Sequence, residues 1–170
     1  MVVITVISDC ESIKEDIVKY IVDRWRDNVT ISLLDPVKDA CASCFLLKRN
    51  KDFSVENKDI YDERWDSTPR DLVDTLEESM RSNFGPNHLV KIAIQRTREF
   101  IEQGQDVIVT DAVRENEVRG LRVIFASIVL KIQTKDEDEF KEIAHDYLLK
   151  LEDLWSMYRE CDTIINEIFQ

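Results

Sequence analysis

With 170 residues, 44% hydrophobic and 34% charged, the chain can bury one full core, is too short for two ordinary domains, and is not a disordered acidic tail. Its net charge of −12 is spread over every segment and would repel duplex phosphates, which disfavours direct nucleic-acid binding. No basic leader with an apolar run follows Met1, and no stretch of roughly 18 apolar residues occurs, so a cytoplasmic, reducing location without a membrane partner is expected.

The chain opens on a β-branched run from Val2 to Ile7, which passes through a polar turn in the stretch Ser8 to Lys14 into Glu15-Asp16-Ile17-Val18, with apolar residues at Ile13, Ile17, Ile21 and Trp25. This is the pattern of a buried strand feeding an amphipathic helix. In phosphate-binding proteins that junction holds a glycine-rich loop, because glycine reaches positive φ and lets backbone N–H groups close on a phosphate at the helix N-terminus. Set against G-x-x-x-x-G-K-[ST], the corresponding residues are Ser8, Ile13, Lys14 and Glu15. The lysine alone is kept, and the first glycine of the chain is Gly85.

Val29 to Leu33 reads as a second strand, ended by Leu34-Asp35-Pro36, and Val37, Cys41, Cys44-Phe45 and Leu47 recur at helical spacing. Residues of about 50–67 are charged and aperiodic, which predicts a long loop. Thr68-Pro69-Arg70-Asp71 is a helix start, with threonine as N-cap and proline at the first helical position; Leu72, Val73, Leu76 and Met80 form its buried face, and Gly85-Pro86 ends it. A further helix runs from Asn87 to Gly104. Then Asp106 to Asp111 reads as a buried strand with the Asp111 carboxylate at its C-terminal end, where ligands gather in open α/β sheets.

A helix over 115–123 and a fourth strand over 126–132 follow. Residues 136–160 are expected to form a long amphipathic helix with Trp155 and Tyr158 in the core, and 163–168 a short fifth strand. Alternating strands and helices imply a parallel sheet covered on both faces. Cys10, Cys41, Cys44 and Cys161 offer one C-x-x-C but no second ligand pair at metal spacing, and only His88 and His145 could add imidazoles. The thiols are therefore read as buried or half-buried, with no metal site.

Several segments, in order, resemble the deoxynucleoside monophosphate kinase family of phages and large DNA viruses, a P-loop kinase group to which animal phosphomevalonate kinase is a more distant relative. They are the first strand with Lys14, Asp35-Pro36-Val37-Lys38, Ser67 to Leu72, Phe84 to Lys91, Val107 to Glu117, and Asp162 to Asn166. The resemblance spans nearly the whole chain. It implies an α/β fold of three-layer αβα P-loop kinase type with a five-stranded parallel sheet, formed as a single domain over 1–170 with an acidic lid-like segment at about 133–139. It also implies transfer of the γ-phosphoryl of ATP, with Mg²⁺, to a deoxynucleoside monophosphate. By position, Lys14 would be the phosphate lysine, with Asp111 and Arg114 beside the chemistry. Asp35, Lys38, Arg70, Asn116 and Glu117 would face the acceptor.

The chain departs from that family where activity is decided. Without the loop glycines, an N–H cradle would carry strain of about 1–3 kcal/mol per residue. Glu15 stands in the Ser/Thr slot for Mg²⁺, and Asp9 and Glu11 bring negative charge to the triphosphate's place, each like-charge pair costing about 4 kcal/mol at ~4 Å and an effective dielectric of about 20. Val113 replaces an expected arginine, the lid is mostly acidic, and the family's final helix is expected to be missing. The sequence thus favours a kinase-like protein with weakened or lost ATP binding and a binding, structural or regulatory role, as a homodimer or with another protein. Two alternatives stay open: an active kinase using ATP and Mg²⁺ through an altered site, and a sensor that keeps only a monophosphate pocket.

Overall fold

The β-branched run at the N-terminus forms β1 (Val3–Ser8), buried up to Ile7, in a computed structural model that describes residues 1–25, 27–135, 140–151 and 153–168. The chain divides into two units, Met1–Ser32 with Ala93–Gln170, and Leu33–Ile92.

In the first unit, β1 is joined by β2 (Asn28–Ser32), β3 (Asp106–Thr110), β4 (Ile128–Gln133) and β5 (Tyr147–Lys150) in one all-parallel sheet of order β2-β3-β1-β4-β5. The expected parallel, five-stranded α/β fold is present. Because β3 inserts between β1 and β2, the order differs from both common doubly wound arrangements. The crossover through α1 (Glu11–Arg24) runs one way along the sheet and that through α6 (Glu115–Phe125) the other. Right-handed connections then put these helices on opposite faces. On the α1 face, Ile4, Val6, Leu130 and Ile132 bury against Ile17 and Ile21 and against Met157 and Cys161 of α7 (Leu154–Ile168).

The C-terminal third departs from expectation. Over the described residues of 136–160 there is no long helix: residues 147–150 form β5, parallel to β4 with Leu130 opposite Tyr147. The expected strand 163–168 is the end of α7, so a final helix after the last strand is present, contrary to expectation. Met157, Cys161, Ile164, Ile165 and Ile168 lie on one stripe at helical spacing, and that periodicity outweighs the β-branched run at 163–165. Asp153 caps this helix by accepting from the Ser156 backbone N–H at 2.9 Å. Trp155, expected in the core, is 79% exposed, while Tyr158 stacks on Tyr20 with ring centroids 4.3 Å apart.

In the second unit, α2 (Asp35–Cys44), α3 (Arg49–Asp52) and α4 (Pro69–Phe84) enclose a smaller core of Val37, Cys41, Phe53 and Val73, to which Leu89 at the start of α5 (His88–Glu102) adds. The start of α4 matches its sequence signals: Thr68 Oγ1 accepts from the Asp71 N–H at 3.1 Å and Gly85, at φ +94°, follows its end. Residues 50–67 are a loop only in part, since α3 and a chain of turns occupy them and the Asp62 N–H bonds the Ser67 carbonyl at 2.9 Å.

Candidate functional site

β1 ends at Ser8 and α1 starts at Glu11, so the connector is Asp9-Cys10. A phosphate-binding loop needs its glycine-rich residues to run free between strand and helix. Here, of the eight positions that align with such a loop, Glu11 to Glu15 are already helical, and the Lys14 N–H is spent on the Cys10 carbonyl at 3.0 Å. The connector is also fastened: the Asp9 carboxylate accepts from the Thr134 N–H at 3.0 Å, the Thr134 hydroxyl at 2.8 Å and the Lys135 N–H at 3.0 Å, at the exit of β4. Of the expected lid, residues 136–139 lie outside the described residues.

Lys14 lies one turn into α1 and ion-pairs with Asp111, just past the end of β3; each side chain is 13% exposed. The second oxygen of Asp111 accepts from the hydroxyl of Ser32, the last residue of β2. The meeting follows from the strand order. β3 lies between β1 and β2, and the register that sets Ser32 opposite Thr110 leaves Asp111 one residue beyond the ladder. Asp111 turns there at φ +64°, a left-handed conformation in which Asp and Asn are among the enriched side chains, held where the surroundings fix it.

Cys10 is half-buried at the head of α1 with its sulfur 3.3 Å from the Ser12 hydroxyl. Hydrogen bonding by that hydroxyl, and then by the Ile13 N–H, holds the thiol below its ordinary range. Limiting iodoacetamide at pH 7 is expected to label Cys10 ahead of the buried Cys41 and Cys161, and Ser12→Ala to slow Cys10 alone severalfold, as read by peptide mass spectrometry. An unchanged Cys10 rate in that variant would remove Ser12 as the cause.

The remaining sequence candidates fall elsewhere. Arg114 is exposed at the N-cap of α6, Asn116 is half-buried in its first turn, and the wholly buried Glu117 closes that turn by accepting from the Arg114 N–H at 3.2 Å. In the second unit, Arg70 bonds Asp59 at 2.5 and 3.1 Å, and that carboxylate answers the charge it places at a helix N-terminus. Asp35 accepts from Arg49 at 2.5 Å, and Lys38 is half-buried on α2. Sequence reasoning missed Ser32 and Thr134. Both stand at C-terminal strand ends, a position that can be marked in advance, but their partners depend on strand order. Among the described residues, no group of three or more His, Cys, Asp or Glu side chains could hold a metal ion, and no helix is long and apolar enough to cross a membrane.

No family model matches the chain, and no curated protein matches it in sequence. Among solved structures it is similar to dephospho-CoA kinase from Campylobacter jejuni, with TM-score 0.58 and 12% identity over 98% of this chain and 96% of that one. A provisionally assigned kinase from Chloroflexus aurantiacus, also 12% identical over 98% of this chain and 96% of that one, has TM-score 0.49, too low to argue from. At such identities a likeness speaks for architecture alone, and the architecture, with its five parallel strands, is that of a P-loop kinase-like fold.

Proposed function

We propose that the chain is a nucleotide-kinase-like protein whose β1–α1 junction no longer seats a triphosphate, and that it acts by binding, in a structural or regulatory role. The carrying observation is the two-residue connector that leads into a helix already formed by Glu11. At this junction the Cys10 N–H bonds the Ser8 hydroxyl and the Lys14 N–H is already in the helix ladder, and Lys14, the one cation kept from the motif, is engaged by Asp111. The narrower resemblance, to deoxynucleoside monophosphate kinases, supplies an acceptor set that is already committed in part. Arg70 bonds Asp59 and Glu117 caps α6.

The competing reading is a working kinase with an altered loop. In its favour, Lys14 and Asp111 meet at the C-terminal edge of the sheet, where ligands of α/β proteins bind. Calorimetric titration of the wild-type chain with Mg-ATP separates the two. No binding tighter than about 1 mM is expected. A tighter dissociation constant that Lys14→Ala abolishes would establish the kinase reading instead.

A further inference from the structure

We infer that Asp111 is a built-in blocking group: its carboxylate fills a receptor for one compact oxyanion made by the Lys14 ammonium and the Ser32 hydroxyl. The inference deepens the reading above and rests on it, since it supposes that no triphosphate occupies this junction.

Two donors from different elements converge on one side chain. Lys14 comes from the first turn of α1 and Ser32 from the end of β2, and they take opposite oxygens of the same carboxylate. A carboxylate and a phosphate present the same paired oxygens to such donors, so the chain's own residue demonstrates the chemistry that the pair accepts. The delivery is specific: β3 ends at Thr110, and Asp111 leaves the strand at φ +64°. Both Lys14 and Asp111 are largely withdrawn from water, which strengthens the pair relative to an exposed one. The nearest acidic neighbour in sequence before the helix, Asp9, is spent on Thr134 and Lys135. A tethered carboxylate competes at an effective concentration far above that of free phosphate, so the wild-type receptor stays closed to it.

Neutralising the blocking group while keeping its backbone tests this. Asparagine adopts the left-handed conformation as aspartate does, and Asp111→Gly, for which this φ carries no penalty, is the second variant should asparagine fold poorly. Each is titrated at low ionic strength with inorganic phosphate and with methyl phosphate, followed by calorimetry and ³¹P line width, and its fold is checked by thermal melt. The folded variant is expected to bind at least about tenfold tighter than wild type, a gain of about 1.4 kcal/mol, and to lose the gain when Lys14→Ala is added. Tighter binding of inorganic phosphate would assign the receptor to free phosphate, tighter binding of methyl phosphate would assign it to a phosphate monoester, and equal affinity would assign it to the phosphoryl group that the two share. No gain in either variant, or a gain that survives Lys14→Ala, overturns the inference. Mg-ATP binding by the wild type would remove both this inference and the function proposed above, whereas failure of the phosphate titration removes this one alone.

Discussion

Met157→Ala is expected to lower the free energy of unfolding by about 2–5 kcal/mol, while Trp155→Ala, two residues earlier on the same helix, changes it by less than about 0.5 kcal/mol. Met157 is wholly buried in the core shared by α1, α7 and the sheet, beside Ile17, Ile21 and Leu149. Truncating it removes apolar contact and leaves a cavity that helices anchored on a sheet cannot fully close. Trp155 is 79% exposed, so its removal takes little surface out of a packed environment. The contrast separates two placements of the C-terminal segment. A helix over 136–160 with Trp155 in the core would make the tryptophan the costly position. Urea unfolding of the two variants decides it: the reverse order of losses would rule out α7 as described.

What could be read from the chain was what is written at short range. The strand–turn–helix at the N-terminus, the Thr68-Pro69 helix start and the carboxylate at the end of β3 each rest on residues within a few positions of one another, and each is found. The sheet's parallel character followed from alternation. The four residues of β5 did not stand out, because Tyr147, Leu148 and Leu151 recur at helical spacing, and pairing with β4 overrides that local pattern. Asp153 was the missed local signal, an N-cap residue that divides the apolar stretch. At the site, a charged or hydrogen-bonding role for Asp111 was legible from its place at a strand end. Its partners were not, since Lys14 and Ser32 reach it only because β3 lies between β1 and β2, and no local pattern encodes strand order. For Arg70, a position at a helix N-terminus calls for a nearby anion, but nothing local points to Asp59, eleven residues away.

Raising the pH from 8 to 11 is expected to destabilise the fold by on the order of 2–3 kcal/mol through Cys161 alone. Burial on the inner face of α7, then the charges of Asp162 and Glu160, push this thiol from its ordinary 9.0 up to about 12. Above pH 9 the unfolded chain therefore releases a proton that the folded chain retains, and stability falls by about 1.4 kcal/mol per pH unit. The contribution is fully present below pH 9 and is gone once the pH has passed the folded value near 12. Cys41, raised to about 11 by burial and then by Cys44, adds a loss of the same sign, as does Tyr20 at higher pH, where burial and then its bond to Asp162 favour the neutral phenol. Cys161→Ala should lower stability at pH 8 yet flatten the decline above pH 9, and urea unfolding across that range reads the slope directly. An unchanged slope would remove Cys161 from the alkaline transition. It would also count against a buried α7, because a thiol standing between a helix ending at 160 and a strand starting at 163 would lie in a surface connection and ionise in the ordinary range on both sides of the folding equilibrium.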